Sequence, residues 1–159
     1  MKKFFITTPI YYINDIPHIG HTCTTVAADV VARLHRAKGE DVFFLTGTDE
    51  HGQKVAETAQ KEGLEVKEYC DKISPRFKDA WEKLDISFDF FIRTTDPQHE
   101  KVVGEVLQKI YDNDDVYKSK YEGLYCIGCE KFLTETELVD GHCNLHPPEK
   151  TVFKSEVIW

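Results

Sequence analysis

Two cysteine and histidine pairs stand close together near the C-terminus, Cys126-x-x-Cys129 and Cys143-x-x-His146. They offer four soft or borderline donors, the pattern of a closed tetrahedral structural zinc site with no open position for catalysis. Gly128 and Gly141 permit the tight turns that bring each pair onto one ion. His35 and His142 are competing imidazoles, but neither has the two-residue spacing to a cysteine that such a knuckle uses. A second cluster sits near the other end, where Pro17-His18-Ile19-Gly20-His21 follows an apolar run and precedes a helical pattern. Imidazoles three residues apart in an opening helical turn project to one side. The helix N-terminus adds unpaired N–H groups and partial positive charge, and Gly20 lets a ligand approach without a Cβ in the way. Together these groups suit a polyphosphate. The dipole alone contributes only about 0.3–1 kcal/mol per charge, so donors on the histidines are needed. The plainer alternative is that His18 caps the helix and His21 fills the core, and an isolated H-x-x-H favours it. A third cluster, Asp49-Glu50-His51, closes another apolar run; Asp49 could meet a cation or cap the helix that starts after Gly52.

These residues need a frame, and the hydrophobic pattern supplies one. KKFFITT reads as a strand, and the segment after His21 carries Val26, Val30, Val31 and Leu34 at helical spacing, closed by Lys38-Gly39. Residues 41 to 46 form a second strand that breaks at Gly47, followed by a helix from about Gln53 to Glu62. A break at Gly63, a long amphipathic segment from Val66 to Leu84, the strand-like SFDFFIRT and a helix from about Pro97 to Asn113 continue the alternation. An α/β parallel sheet follows. From Val116 onward short β-like pieces, turn residues and cysteines replace helical periodicity, which sets a domain boundary near residue 115. Cys23 and Cys70 stand alone and are expected in the core.

Composition narrows the function classes. The 159 residues, 41% hydrophobic, can bury a core, while the formal charge of −8 argues against a broad basic surface for nucleic acid. The start, MKKFFITTPIYY, is interrupted by Thr7, Thr8 and Pro9 and reads as a strand rather than a signal peptide. No run approaches the ~18 apolar residues of a membrane span. Five cysteines, three of them between residues 126 and 143, fit a metal site in a reducing, cytoplasmic setting better than a disulfide framework.

PHIGH between a first strand and a first helix resembles the signature of class I aminoacyl-tRNA synthetases. TTPIYYINDIPHIGH together with FLTGTDEHGQK closely resembles the methionyl-tRNA synthetase family within that class, and ADVVARLHRAKGEDVFFLTGTDEHG runs at the family's spacing. The resemblance covers essentially the whole chain and favours the ligand-binding reading of the histidines. It implies a Rossmann-like half-domain over residues 1–115 and a small β-rich connective insertion with the zinc knuckle over 116–159, incomplete at its C-terminus. It implies that His18, Gly20 and His21 meet ATP, with Mg²⁺, and that the histidines stabilise the pentavalent α-phosphate during adenylate formation. Ile10 and Tyr12 would lie against methionine and Asp49 would take its ammonium group, leaving Glu50 and His51 without a place. A thioether suits an apolar wall with an aromatic ring, a contact worth about 0.3–1.5 kcal/mol. The family's partner is the acceptor end of tRNA, and its knuckle supports that end. Its second half, with a KMSKS loop and an anticodon-binding domain, has no counterpart here, since no K-M-S-K-S occurs. The chain is thus expected to be the N-terminal catalytic portion of a methionine–tRNA ligase, inactive alone. An HxGH-type nucleotidyltransferase would explain the histidines but not the knuckle, and a zinc-stabilised binding module without catalysis would explain the missing loop.

Overall fold

The run KFFIT forms strand β1 (Lys3–Thr7), and Pro9, with no N–H to give a ladder, interrupts it before the short strand β2 (Tyr11–Tyr12). Strand β3 (Asp41–Asp49) is central, and β4 (Phe90–Arg93) completes a four-stranded sheet whose pairings are all parallel. Leu45 pairs with both Thr7 and Phe90, and Thr48 with both Tyr11 and Arg93. Hence β1 and β2 follow one another along one edge of β3, and β4 lies along the other. The computed structural model describes residues 1–158 in two compact units, Met1–Gly104 and the residues from Glu105 on. Among the described residues no helix is long and apolar enough to cross a membrane.

The sheet does not break at Gly47, as the sequence suggests; β3 runs on to Asp49. A Cβ at Gly47 would lie 2.0 Å from the Ile92 carbonyl oxygen, so the glycine admits the close approach of β4 rather than ending the strand.

Helices α1 (Ile19–Ala37), α2 (Gln53–Lys61), α3 (Val66–Lys83) and α4 (Pro97–Asp112) match the expected spans closely. Tyr69, Ile73, Phe77 and Trp81 repeat every four residues along α3 and join Phe44 and Tyr11 in the core. Burying side chains of this kind contributes about 1.5–3 kcal/mol each. Helix α1 departs from expectation. Val26, Val30, Val31 and Leu34 are exposed, and Thr25, Asp29 and Ala32 face inward. Hydrogen bonds hold that inner face: Thr25 Oγ1 meets Tyr11 Oη at 2.8 Å, and Asp29 accepts from Arg33 Nε and the Ser87 N–H, each at 2.7 Å. Cys70 is buried as expected, whereas Cys23 is exposed on the outer side of α1.

The second unit is β-rich. Strand β5 (Ser119–Cys126) pairs antiparallel with β6 (Lys131–Phe132) and, over eight residues, with β9 (Thr151–Ile158). Between them β7 (Leu138–Val139) and β8 (His142–Cys143) make a small ladder. The division between units falls within α4, and the first strand beyond it starts at Ser119.

Candidate functional site

His18 is the N-cap of α1, held in an extended conformation with φ −132° and ψ 175°. Its Nδ1 accepts the Gly20 N–H at 3.1 Å, and the Nδ1 of His21 accepts the His18 N–H at 3.2 Å. The result is a reciprocal capping box made from two imidazoles. A ring that accepts at Nδ1 and is neutral carries its proton on Nε2. Each histidine therefore serves the helix through one nitrogen and keeps an N–H donor on the other. The capping and ligand-binding readings of the sequence are compatible, because they use different atoms. The rings stack with centroids 3.8 Å apart, and His21 also leans on Tyr11 at 4.8 Å and Phe77 at 5.3 Å. Burial first, and the neighbouring His18 second, lower the His21 pKa below its ordinary 6.5, with Asp15 opposing. His21 is thus held neutral near pH 7. A Cβ at Gly20 would lie 2.9 Å from Cε1 of His18, so the glycine makes room for the cap's own ring.

Tyr12 and Asp49 are partners in the β2–β3 ladder and share one face of the sheet, while their neighbours Tyr11 and Thr48 are buried on the other. Ile10, two residues before Tyr12, is exposed, as Tyr12 itself is. The Asp49 Oδ1 accepts the His51 N–H at 3.2 Å and stands 3.5 Å from the Thr94 hydroxyl. The N-cap of α2 is Gly52, with no side-chain cap, so Asp49 does not close that helix end.

Glu50, which the sequence left unplaced, is buried beside it. Its carboxylate accepts Arg93 Nε at 2.7 Å, Arg93 Nη2 at 2.9 Å, Thr95 Oγ1 at 2.5 Å and Thr48 Oγ1 at 3.0 Å. Burial alone would raise its pKa, but the Arg93 fork and the two hydroxyls outweigh it and hold the carboxyl below the ordinary 4.5. Arg93 also reaches Asp71 of α3 at 2.6 Å. The Glu50 N–H donates to Thr94 Oγ1 at 2.9 Å, and His51 Nε2 lies 3.3 Å from the Thr94 carbonyl. The ends of β3 and β4 are therefore sewn together around Asp49. Sequence reasoning missed Arg93 and Thr94; the only local signal was an arginine and two threonines at the close of an apolar strand.

In the second unit the four expected donors do converge. Cys126, Cys129, Cys143 and His146 bring their ligand atoms within 4.8 Å of one another. His146 Nδ1 lies 3.6, 3.3 and 3.7 Å from the sulfurs of Cys126, Cys129 and Cys143, and Cys129 and Cys143 are 3.7 Å apart. Backbone N–H groups of Cys129 and Leu145 point at the sulfurs of Cys126 and Cys143, each at 3.4 Å. The Leu145 N–H, followed by His146, draws the Cys143 thiol down to about 6. Burial, then Cys143 and Cys126 as neighbours, push Cys129 up to about 11. One thiolate thus discourages a second unless a cation joins them. Gly141 has the positive φ of 77° that its turn requires, and a Cβ at Gly128 would lie 2.4 Å from the His146 ring. His142 and His35 are outside the donor cluster, and His35 instead pairs with Glu40 at 2.6 Å.

The family model described as tRNA synthetases class I (M) matches residues 4–152. The methionine–tRNA ligase of Caldanaerobacter subterraneus is 56% identical over 142 residues, which make up 89% of this chain and 22% of that protein. The Synechocystis methionine–tRNA ligase is 45% identical over 157 residues, 98% of this chain and 30% of the other. Mycobacterium tuberculosis methionyl-tRNA synthetase in complex with methionyl-adenylate superposes with a TM-score of 0.89 at 39% identity, covering 99% of this chain and 31% of that one. The chain thus spans less than a third of the length of these relatives. With the parallel sheet, the histidine box at the first helix and the family match over nearly the whole sequence, the chain belongs to the class I (M) family of tRNA synthetases.

Proposed function

We propose that this chain provides the nucleotide- and methionine-binding portion of a methionine–tRNA ligase, which activates methionine with ATP and transfers it to tRNA. The observation that carries the reading is the superposition on a relative holding methionyl-adenylate, together with two Nε2–H donors at the opening of α1. In this reading His18 and His21 donate to the ATP phosphates and to the charge that grows at the α-phosphate, where preorganised donors act most strongly. Gly20 keeps the His18 ring in place at that end. Ile10 and Tyr12 form the wall against the thioether, and Asp49 pairs with the substrate ammonium. Mg²⁺ accompanies ATP as it enters, and the acceptor end of tRNA is the second substrate. The setting is the cytoplasm, where cysteines stay reduced.

The knuckle holds one structural Zn²⁺. A tetrahedral zinc with bonds of about 2.3 Å to sulfur and about 2.05 Å to nitrogen has edges of about 3.8 Å (S···S) and about 3.6 Å (S···N). Four of the six donor separations, 3.3 to 3.7 Å, are close to those edges, and all lie within 4.8 Å. With all four positions taken by protein, the metal orders the β-rich segment around its donors and takes no part in the chemistry.

Thermal-shift measurements with methionine, ATP and the sulfamoyl analogue of methionyl-adenylate test the reading. Stabilisation by methionine and by the analogue is expected. A response to ATP alone would support a nucleotidyltransferase, and no response to any of them a binding module. Because no K-M-S-K-S occurs in the sequence, methionine-dependent ATP–pyrophosphate exchange is expected near background for these 159 residues. It should appear when the chain is extended to the length of its relatives.

A further inference from the structure

We infer that Glu50 and Arg93 are positioning residues for the amino-acid site: their ion pair, in which Glu50 is buried and Arg93 partly so, sets the direction of the Asp49 carboxylate. The inference rests on the reading of Asp49 as the ammonium partner. Neighbouring residues of an extended chain send their side chains to opposite sides. Anchoring Glu50 inward through four hydrogen bonds therefore commits Asp49 to the outer face, beside its ladder partner Tyr12. The Arg93 fork does more than neutralise Glu50. It locks the end of β4, so the next residue, Thr94, can take the Glu50 N–H at 2.9 Å while its hydroxyl stands 3.5 Å from Asp49 Oδ1. The Thr94 N–H in turn donates to the Thr48 carbonyl at 3.2 Å, and the third contact of Arg93, Asp71, ties the assembly to α3. Thr94, which stands over the Asp49 carboxylate, is thus referred back to the Glu50–Arg93 pair, while the His51 N–H holds the same Oδ1 from the local turn. A purely structural brace would hold the fold without caring where Asp49 points, and the two roles predict different kinetics.

The test is methionine-dependent ATP–pyrophosphate exchange in a polypeptide that extends this chain to its relatives' length. Misplacing a reacting group by about 1 Å can cost on the order of a hundredfold. Glu50→Gln and Arg93→Lys, the latter keeping the charge but losing the fork, are therefore expected to raise the methionine KM at least about tenfold and leave the ATP KM nearly unchanged. In an Asp49→Asn background, Glu50→Gln should add little, because the group it positions is gone. The double variant Glu50→Met/Arg93→Met, which replaces the pair with apolar side chains of similar length, should melt near wild type and still show the raised methionine KM. Parallel rises in both KM values, additive losses in the Asp49→Asn background, or a normal methionine KM in a stable double variant would each overturn the inference. If Asp49→Asn itself leaves methionine use intact, the reading of Asp49 falls and the inference with it. A selective Asp49→Asn effect with no selective effect at Glu50 or Arg93 overturns the inference alone.

Discussion

The two units hold their chemistry in place by opposite means. In the first, a dozen buried apolar side chains fix a sheet and helices, and the candidate site is assembled at strand ends and a helix start. In the second, Cys126 and Cys143 are the buried residues among those described, so the site's own donors are also its core. Where a core exists independently, site residues can be changed without dissolving their surroundings. Where the donors are the core, loss of a bound ion would take the structure with it.

Metal removal should give the largest contrast. Zinc ligation in finger peptides is worth about 10–16 kcal/mol near neutral pH. Chelation, or Cys126→Ser, is therefore expected to abolish hydrogen-exchange protection in residues 119–158 and leave that of β1, β3 and α3 in place. Loss of protection throughout residues 1–104 on chelation would break the comparison. The converse substitution is Phe77→Ala. A buried phenylalanine lost to alanine costs about 3–5 kcal/mol, so the first unit should melt earlier while metal uptake by the second is unchanged. A smaller effect is expected at the histidine box. His18→Ala removes the side-chain acceptor at the start of α1 and should cost about 0.5–2 kcal/mol of the first unit's stability, read by denaturant unfolding. An unchanged midpoint would show that the box carries no capping energy.

Acid should act most gently and in one direction. His21 binds its proton less readily in the folded chain than at its ordinary 6.5, so its contribution is fully present above that value and is lost as pH falls through the lower folded value. Glu50 follows the same sign from 4.5 downward. Melting of the first unit followed from pH 8 into the carboxylate range below 4.5 should therefore show stability declining in two stages as acid is added, and Glu50→Gln should shrink the second, which Asp29, Glu40 and Asp71 share. A rise in stability on acidification would reverse both assignments.

Much of this was legible in the sequence because it was local. The spans of α1 to α4, the parallel sheet and the four knuckle donors each follow from spacing within a few residues. What escaped was set by partners far along the chain. The inner face of α1 is polar because Thr25 and Asp29 meet Tyr11 and Ser87, and no periodicity of valines reveals that. Gly47 looks like a strand breaker until Ile92 is seen against it. Glu50 and Arg93 lie 43 residues apart, and only the β3–β4 register makes them a pair. His18 and His21 fell between these cases: their spacing was visible, their division of labour between two nitrogens was not.

That division of labour bears on the thermodynamics of encounter. Side chains that must be immobilised by a ligand usually subtract about 0.5–1.5 kcal/mol each from its affinity. Here the stacked rings are already fixed by the helix they cap, so that ordering is complete when the chain folds. An anion arriving at this end of α1 should meet two stationary donors, and calorimetry should find the entropic penalty of its binding small.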